Sequence, residues 1–326
     1  MVGAATGGAA QLHNPGAAAG LTPAQEDDII ALPWPGPAAD YAAVAAGLVV
    51  PGPVAHWRAR AQCVTLAHAG GVLTAHHWPA APAPGACLKA PVVLLHGGSG
   101  SWTHWLRMLG PLTQAGHPVW ALDMPGFGAS DPLPGQQDAD DMLPVLAAGL
   151  RHWLGGQPVQ IMGFSLGGMT AALLAAAYPA LVRQLLLVGP PGLGLRDKPI
   201  YRLRGWRHLE DAQEQLRRHC YNLAALMLCD TSLIDRDTLA LHTANVQRDR
   251  LPRRRLASTD VLRRTLPRLA CPVQAVYGEQ DVLYRGLWPQ VADCFNGQLQ
   301  LLPGAGHWVQ YEAPQAFAEL VLPRLW

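Results

Sequence analysis

Charge is scarce in this chain. Only 14% of its 326 residues are Asp, Glu, Lys or Arg, while half are hydrophobic. That balance excludes disorder over most of the length and leaves enough apolar surface for a sizeable core. At roughly 150 residues per domain, the chain accommodates two units or one large domain with an insertion. Long hydrophobic runs are missing as well. The longest, such as 171–177 and 185–188, are too short to cross a bilayer, so no membrane span is expected. Residues 1–20 carry no Lys or Arg, and they lack the basic start and compact apolar stretch of a secretory signal. Six cysteines (Cys63, Cys87, Cys220, Cys229, Cys271, Cys294) include no CxxC pair, which fits isolated thiols in a reducing cytoplasm. Among 13 histidines His76 and His77 are adjacent and the others dispersed, with neither HExxH nor HxHxD spacing. No metal and no other cofactor is therefore expected.

What is present is alternation. Residues 1–60 are rich in Ala, Pro and Gly, with Pro33, Pro35, Pro37, Pro51 and Pro53 breaking any long helix. They read as an N-terminal extension, disordered over the first twenty residues, part of which packs on the domain. A hairpin is expected at 63–66 and 72–77, turning at Gly70-Gly71. Strands then follow at 91–95, 117–122, 158–162, 182–188, 272–277 and 298–302, with helices at 105–115, 141–154, 166–178 and 313–325. Near-continuous apolar strands separated by helices mean a mostly parallel sheet covered on both faces, an α/β core built from 61–189 and 271–326. Residues 190–270 show only helical stretches, at 209–227, 238–246 and 261–266. They predict an inserted helical cap.

Four short segments carry chemistry. Gly163-Phe164-Ser165-Leu166-Gly167-Gly168 lies between an apolar strand and an Ala-rich helix. A serine in such a turn is held in a strained conformation with its hydroxyl above the sheet, and small residues two before and two after avoid the neighbouring strand and helix. A hydroxyl needs a base to become a useful nucleophile. His307 supplies one, on the Gly-rich loop after the last strand. The base needs an acceptor on its other nitrogen, and Asp281 follows the preceding strand, with Glu279 as the alternative acid. The order Ser, Asp, His along the chain suits this kind of site. His96-Gly97-Gly98-Ser99-Gly100 lets the backbone approach a developing oxyanion closely. The N–H groups of Gly98 and Leu166 are the expected donors. Gly97, Phe164 and Trp308, which adjoin these residues, are assigned to substrate binding. No GK[ST] ends the glycine loop, so it is not read as a phosphate cradle.

These segments, with Asp123-Met124-Pro125-Gly126-Phe127-Gly128-Ala129-Ser130 and Glu312-Ala313-Pro314, resemble the α/β-hydrolase superfamily from about Arg60 to the end, apart from the cap. The resemblance implies an α/β-hydrolase fold and a serine hydrolase acting on a carboxylic ester or related acyl compound. Members with Asp at the nucleophile position, the haloalkane dehalogenases and epoxide hydrolases, are set aside by Ser165. Trp308-Val309-Gln310 is similar to the segment after the base in carbon–carbon hydrolases of aromatic-ring degradation, although Ser99-Gly100-Ser101 replaces their HGxGPG loop. Cleavage of a dienoic keto acid is thus one alternative, and a non-catalytic ligand-binding receptor is another. Residues 195–268 hold 16 Lys+Arg against 9 Asp+Glu. Arginines there, including Arg202, Arg204, Arg207, Arg217, Arg218, Arg253, Arg254, Arg255, Arg263 and Arg264, would suit a small-molecule substrate bearing a carboxylate or phosphate. No nucleic-acid recognition motif accompanies them.

Overall fold

The computed structural model describes residues 32, 34 and 36–326, apart from 83, 86, 198 and 199. The expectation for the first twenty residues lies outside that range. Eight strands form one sheet: β1 (Gln62–His68), β2 (Gly71–Trp78), β3 (Val92–Leu95), β4 (Val119–Asp123), β5 (Val159–Phe164), β6 (Val182–Val188), β7 (Val273–Gly278) and β8 (Leu299–Leu302). Their spatial order is β1-β2-β4-β3-β5-β6-β7-β8. The β1–β2 hairpin is antiparallel, as is its pairing to β4, and every other pairing is parallel. This is the α/β-hydrolase fold that the sequence resemblance implies.

Successive side chains of a strand point to opposite faces, and here each face meets its own core. Val92 and Leu94 of β3 pack with Met162 and Phe164 of β5 on one side. Val93 and Leu95 pack with Ile161 on the other. With helices over both faces, the central strands β3 and β5 have no solvated side and are buried along their whole length. The register also aligns the strand ends. Leu95 pairs with Gly163, Phe164 with Val188, Val188 with Val276 and Gly278 with Leu302. The loops after β3, β5, β7 and β8 therefore leave the same edge of the sheet side by side.

Several boundaries differ from the sequence expectation. The strand expected to stop at 162 continues, because Gly163 and Phe164 still pair with Leu187 and Val188. The helix expected at 105–115 begins as a tight three-residue-per-turn coil at Trp102–Met108 and becomes α-helical only at Leu109–Gln114. The helix expected at 313–325 is α-helical over Pro314–Val321 and ends in a 3-10 turn at Leu322–Arg324. A separate short helix, Val309–Glu312, precedes it, the two divided at Ala313 because the residue before a proline is pushed out of helical conformation. Two short helices start directly after N-terminal prolines, Ala38–Ala45 after Pro37 and Gly52–Arg60 after Pro51. Pro53 sits in the first turn of the second, where no backbone donor is needed. Val44, Ala45 and Val54 are buried and join the core.

Between β6 and β7 the chain forms helices Ala212–Asn222, Arg236–Val246 and Val261–Thr265, with no strand among the described residues. This segment is pinned to the loop after β8. Trp308 N–H donates to Met227 O at 2.8 Å. The Glu312 carboxylate accepts from Gly306 N–H at 2.6 Å and from Asp230 N–H at 2.5 Å. Burial pushes the Glu312 carboxyl above its usual pKa, against the pull of these donors. Among the described residues no helix is long and apolar enough to cross a membrane.

Two substitutions test these constraints. A β-carbon on Gly163 would stand 2.5 Å from Gly167 O and 2.6 Å from Gly168 Cα, so Gly163→Val should destabilise the fold by about 3 kcal/mol or more in urea unfolding. Glu312→Ala leaves the part-buried Gly306 N–H without its acceptor and frees the exposed Asp230 N–H, and a loss of about 1–3 kcal/mol is expected in the same assay.

Candidate active site

Ser165 stands at the turn between β5 and the helix Leu166–Ala177. Its backbone has φ 50° and ψ −119°, a conformation that a non-glycine residue adopts only when its surroundings compel it. The compulsion comes from both sides. Ser165 N–H donates to Val188 O at 2.7 Å, and the helix begins at once, with Gly168 and Met169 N–H donating to Ser165 O. The turn closes because Gly167 lies directly against β3: a β-carbon there would be 2.4 Å from His96 O.

The loops after β7 and β8 bring the other two predicted residues to Ser165. His307 Nε2 lies 2.9 Å from Ser165 Oγ, and His307 Nδ1 lies 2.8 Å from Asp281 Oδ2. An ionised carboxylate only accepts, so Nδ1 carries the proton and Nε2 is left to accept from the serine hydroxyl. Asp281 is fully buried, and Leu283 N–H donates to its other oxygen at 2.9 Å. Glu279, the alternative acid, is exposed. Its side chain is not part of this chain of hydrogen bonds.

The loop after β3 faces the same point. His96 Nδ1–H donates to Gly97 O at 2.7 Å while His96 Nε2 accepts Met124 N–H at 3.0 Å. Burial lowers the His96 pKa, which keeps the ring neutral and able to do both. Asp123 braces the loop from the other side by accepting Trp102 N–H at 2.8 Å and Ala129 N–H at 2.9 Å. Burial alone would raise the Asp123 carboxyl; hydrogen bonding from His76 and the nearby imidazoles hold it below its usual value.

A cavity of about 270 Å³ opens over these residues, lined at its base by Gly98, Phe164, Ser165, Leu166 and His307. Tyr201, Leu203, Leu226, Met227, Val282 and Leu283 make its walls largely apolar. Two residues assigned to substrate binding do not line it. Gly97 lies beneath, where a β-carbon would strike the Phe164 ring at 2.9 Å. Trp308 is wholly buried, stacked on Tyr311 and donating its indole N–H to His104 O at 2.9 Å. Of the arginines singled out in the sequence, Arg254 is the one that lines this cavity among the described residues. Arg217 and Arg218 pair with Glu214, and Arg264 with Asp260. Arg196, not singled out, also reaches the cavity, but it donates to Leu283 O and Arg285 O.

Sequence reasoning missed the bracing residues. Asp249 accepts the Ser99 hydroxyl at 2.5 Å across 150 positions of sequence, and no spacing rule could have paired them. Asp123 sat inside a quoted motif, and its place directly after an apolar strand was the available signal. Among the described residues no group of three His, Cys, Asp or Glu could hold a metal ion.

Comparison with known proteins agrees with this architecture. The family model described as "Alpha/beta hydrolase family" matches residues 92–320. A 2-hydroxy-6-oxononadienedioate/2-hydroxy-6-oxononatrienedioate hydrolase from Comamonas testosteroni is 30% identical over 254 residues, covering 71% of this chain and 86% of that protein. A serine hydrolase from the polyaromatic hydrocarbon-degrading bacterium Cycloclasticus zankles superposes with a TM-score of 0.62 at 21% identity, covering 80% of this chain and 96% of that one. An esterase from Rhodococcus sp. ECU1013 gives a TM-score of 0.60 at 20% identity, over 82% of this chain and 100% of that one. Fold, motif context and family match together place this chain in the alpha/beta hydrolase family.

Proposed function

We propose that this protein is a serine hydrolase that cleaves a carboxylic ester or related acyl compound through an acyl-enzyme intermediate. The observation that carries the reading is the unbroken chain of hydrogen bonds from Ser165 Oγ through His307 to the buried Asp281. Ser165 Oγ adds to the acyl carbon while its proton passes to His307 Nε2, and the carbonyl electron pair moves onto oxygen. Asp281 steadies the imidazolium. The N–H groups of Gly98 and Leu166 receive the oxyanion, with the N-terminal end of the helix Leu166–Ala177 behind it. As the intermediate collapses, His307 returns its proton to the leaving group. It then takes a proton from water, which attacks the acyl carbon, and returns that proton to Ser165 Oγ as the acyl–oxygen bond breaks and the acid leaves. The mechanism calls for no cofactor. In this reading residues 61–189 and 271–326 are the catalytic core and 190–270 form a cap that encloses a small-molecule substrate.

A second reading is carbon–carbon bond hydrolysis of a dienoic keto acid. It is supported by the name of the relative from Comamonas testosteroni, a 2-hydroxy-6-oxo-dioate hydrolase at 30% identity, and by Arg254 as a cation lining the cavity for the acid's carboxylate.

Purified protein should hydrolyse short p-nitrophenyl esters in the presence of EDTA. Ser165→Ala should lose about 10⁶-fold in kcat and Asp281→Asn about 10⁴-fold, because the imidazole then takes the wrong tautomer. Bleaching of a yellow ring-cleavage dienoate without ester turnover would instead select the second reading. Tight binding of either compound without turnover in the folded wild type would leave a binding role.

A further inference from the structure

The loop that carries Gly98 is tied to the β6–β7 segment by side chains. Ser99, with φ 53°, donates its hydroxyl to Asp249 Oδ2 at 2.5 Å. Arg254 pairs with the same oxygen through Nη2. Leu251 N–H donates to the other carboxylate oxygen at 3.2 Å, which fixes Asp249 in turn. The guanidinium also lies 5.6 Å from the centroid of the Phe127 ring. Arg254 is thus held in one orientation by a carboxylate and an aromatic face. Its Nε–H, however, is buried and has no hydrogen-bond partner among the described residues. Such a donor is costly to leave unpaired, and more so on a cation. An acceptor brought by a bound molecule would satisfy it.

The position of that nitrogen says which acceptor. A β-carbon on Gly98 would stand 3.2 Å from Arg254 Nε, so Nε lies within roughly 6 Å of the Gly98 nitrogen. Arg254 lines the same cavity as Gly98, Ser165, Leu166 and His307. Gly98 has no side chain to screen the guanidinium from that space.

We infer that Arg254 is a further catalytic residue, its Nε–H a side-chain donor to the oxygen of the scissile carbonyl beside the N–H groups of Gly98 and Leu166. This rests on the reading of Ser165 as nucleophile. When Ser165 Oγ bonds to the acyl carbon, the carbonyl π pair moves onto oxygen and the hydroxyl proton goes to His307. The guanidinium stays protonated throughout and offers a charge-assisted hydrogen bond that strengthens as the oxygen becomes negative. On collapse the pair returns to re-form the carbonyl and the leaving group departs with the proton from His307. The Asp249 carboxylate offsets much of the arginine's charge in the resting site. The contribution therefore grows in the transition state rather than in substrate binding, and its loss falls on kcat more than on KM.

The test compares wild type, Arg254→Gln, Arg254→Lys and Asp249→Asn, using a neutral p-nitrophenyl ester and a short alkyl trifluoromethyl ketone, which forms a tetrahedral oxyanion adduct with the serine. Ser165→Ala is measured first. If it still turns over ester, the nucleophile reading fails and this inference fails with it. If it is inactive, the Arg254 variants decide the matter alone. Arg254→Gln should lower kcat by about 10²-fold, the scale for one oxyanion donor, with KM within about twofold, and should weaken ketone inhibition by the same factor. Arg254→Lys keeps the charge and the ion pair but not the Nε–H, so it should fold like wild type and still lose kcat and ketone affinity together. Asp249→Asn should lose less than Arg254→Gln in both readouts. A kcat within threefold of wild type in both Arg254 variants would overturn the assignment. So would a loss confined to KM, which marks a ground-state anchor, or a fall in kcat with unchanged ketone affinity, which marks a merely structural clamp.

Discussion

The contact between a glycine-lined helix start and the carbonyl edge of two central strands governs the rest of this structure. The helix Leu166–Ala177 can begin immediately after β5 only because Gly167 lies against Leu95 O and His96 O, and Gly163 against Gly167 O. No side chain fits in either gap. That closeness holds Ser165 at positive φ, and the Ser165 N–H to Val188 O bond locks it there. The strain is local, and it is sustained by central strands packed against a core on each face.

From that fixed point the parallel register does the assembling. Strand ends that are far apart in sequence are adjacent in space, so three loops deliver Asp281, His307 and the Gly97-Gly98 backbone to one edge. Each loop is then pinned by buried polar groups. His96 and Asp123 hold the loop after β3, Asp281 takes Leu283 N–H as well as His307, and Glu312 gathers Gly306 N–H. These groups bury charge and polarity at some cost in stability, and what they give in exchange is orientation.

The segment between β6 and β7 shapes the space above the site. Its side chains, among them Tyr201, Leu203, Leu226, Met227 and Arg254, form most of the cavity's far wall. The core strands and their loops supply a hydrogen-bonded serine, histidine and aspartate, while the helical segment supplies side chains that enclose the space above them.

The sequence by itself determined the alternation of strand and helix, the layered sheet and the glycine-flanked serine turn. Each of these is a local pattern: apolar period, Ala-rich helix, and small residues two positions either side of Ser165. The order of Ser165, Asp281 and His307, each just past a strand, was legible for the same reason. Tertiary structure decided the rest. It chose Asp281 over Glu279 by burying one and exposing the other. It put Trp308 and Gly97 behind the cavity rather than in it, although both adjoin residues that line it. It singled out Arg254 from a run of arginines by setting it over Gly98, and it paired Asp249 with Ser99. Such pairings depend on which loops meet after the sheet has closed, and a linear pattern of residue types carries no record of distances across a fold.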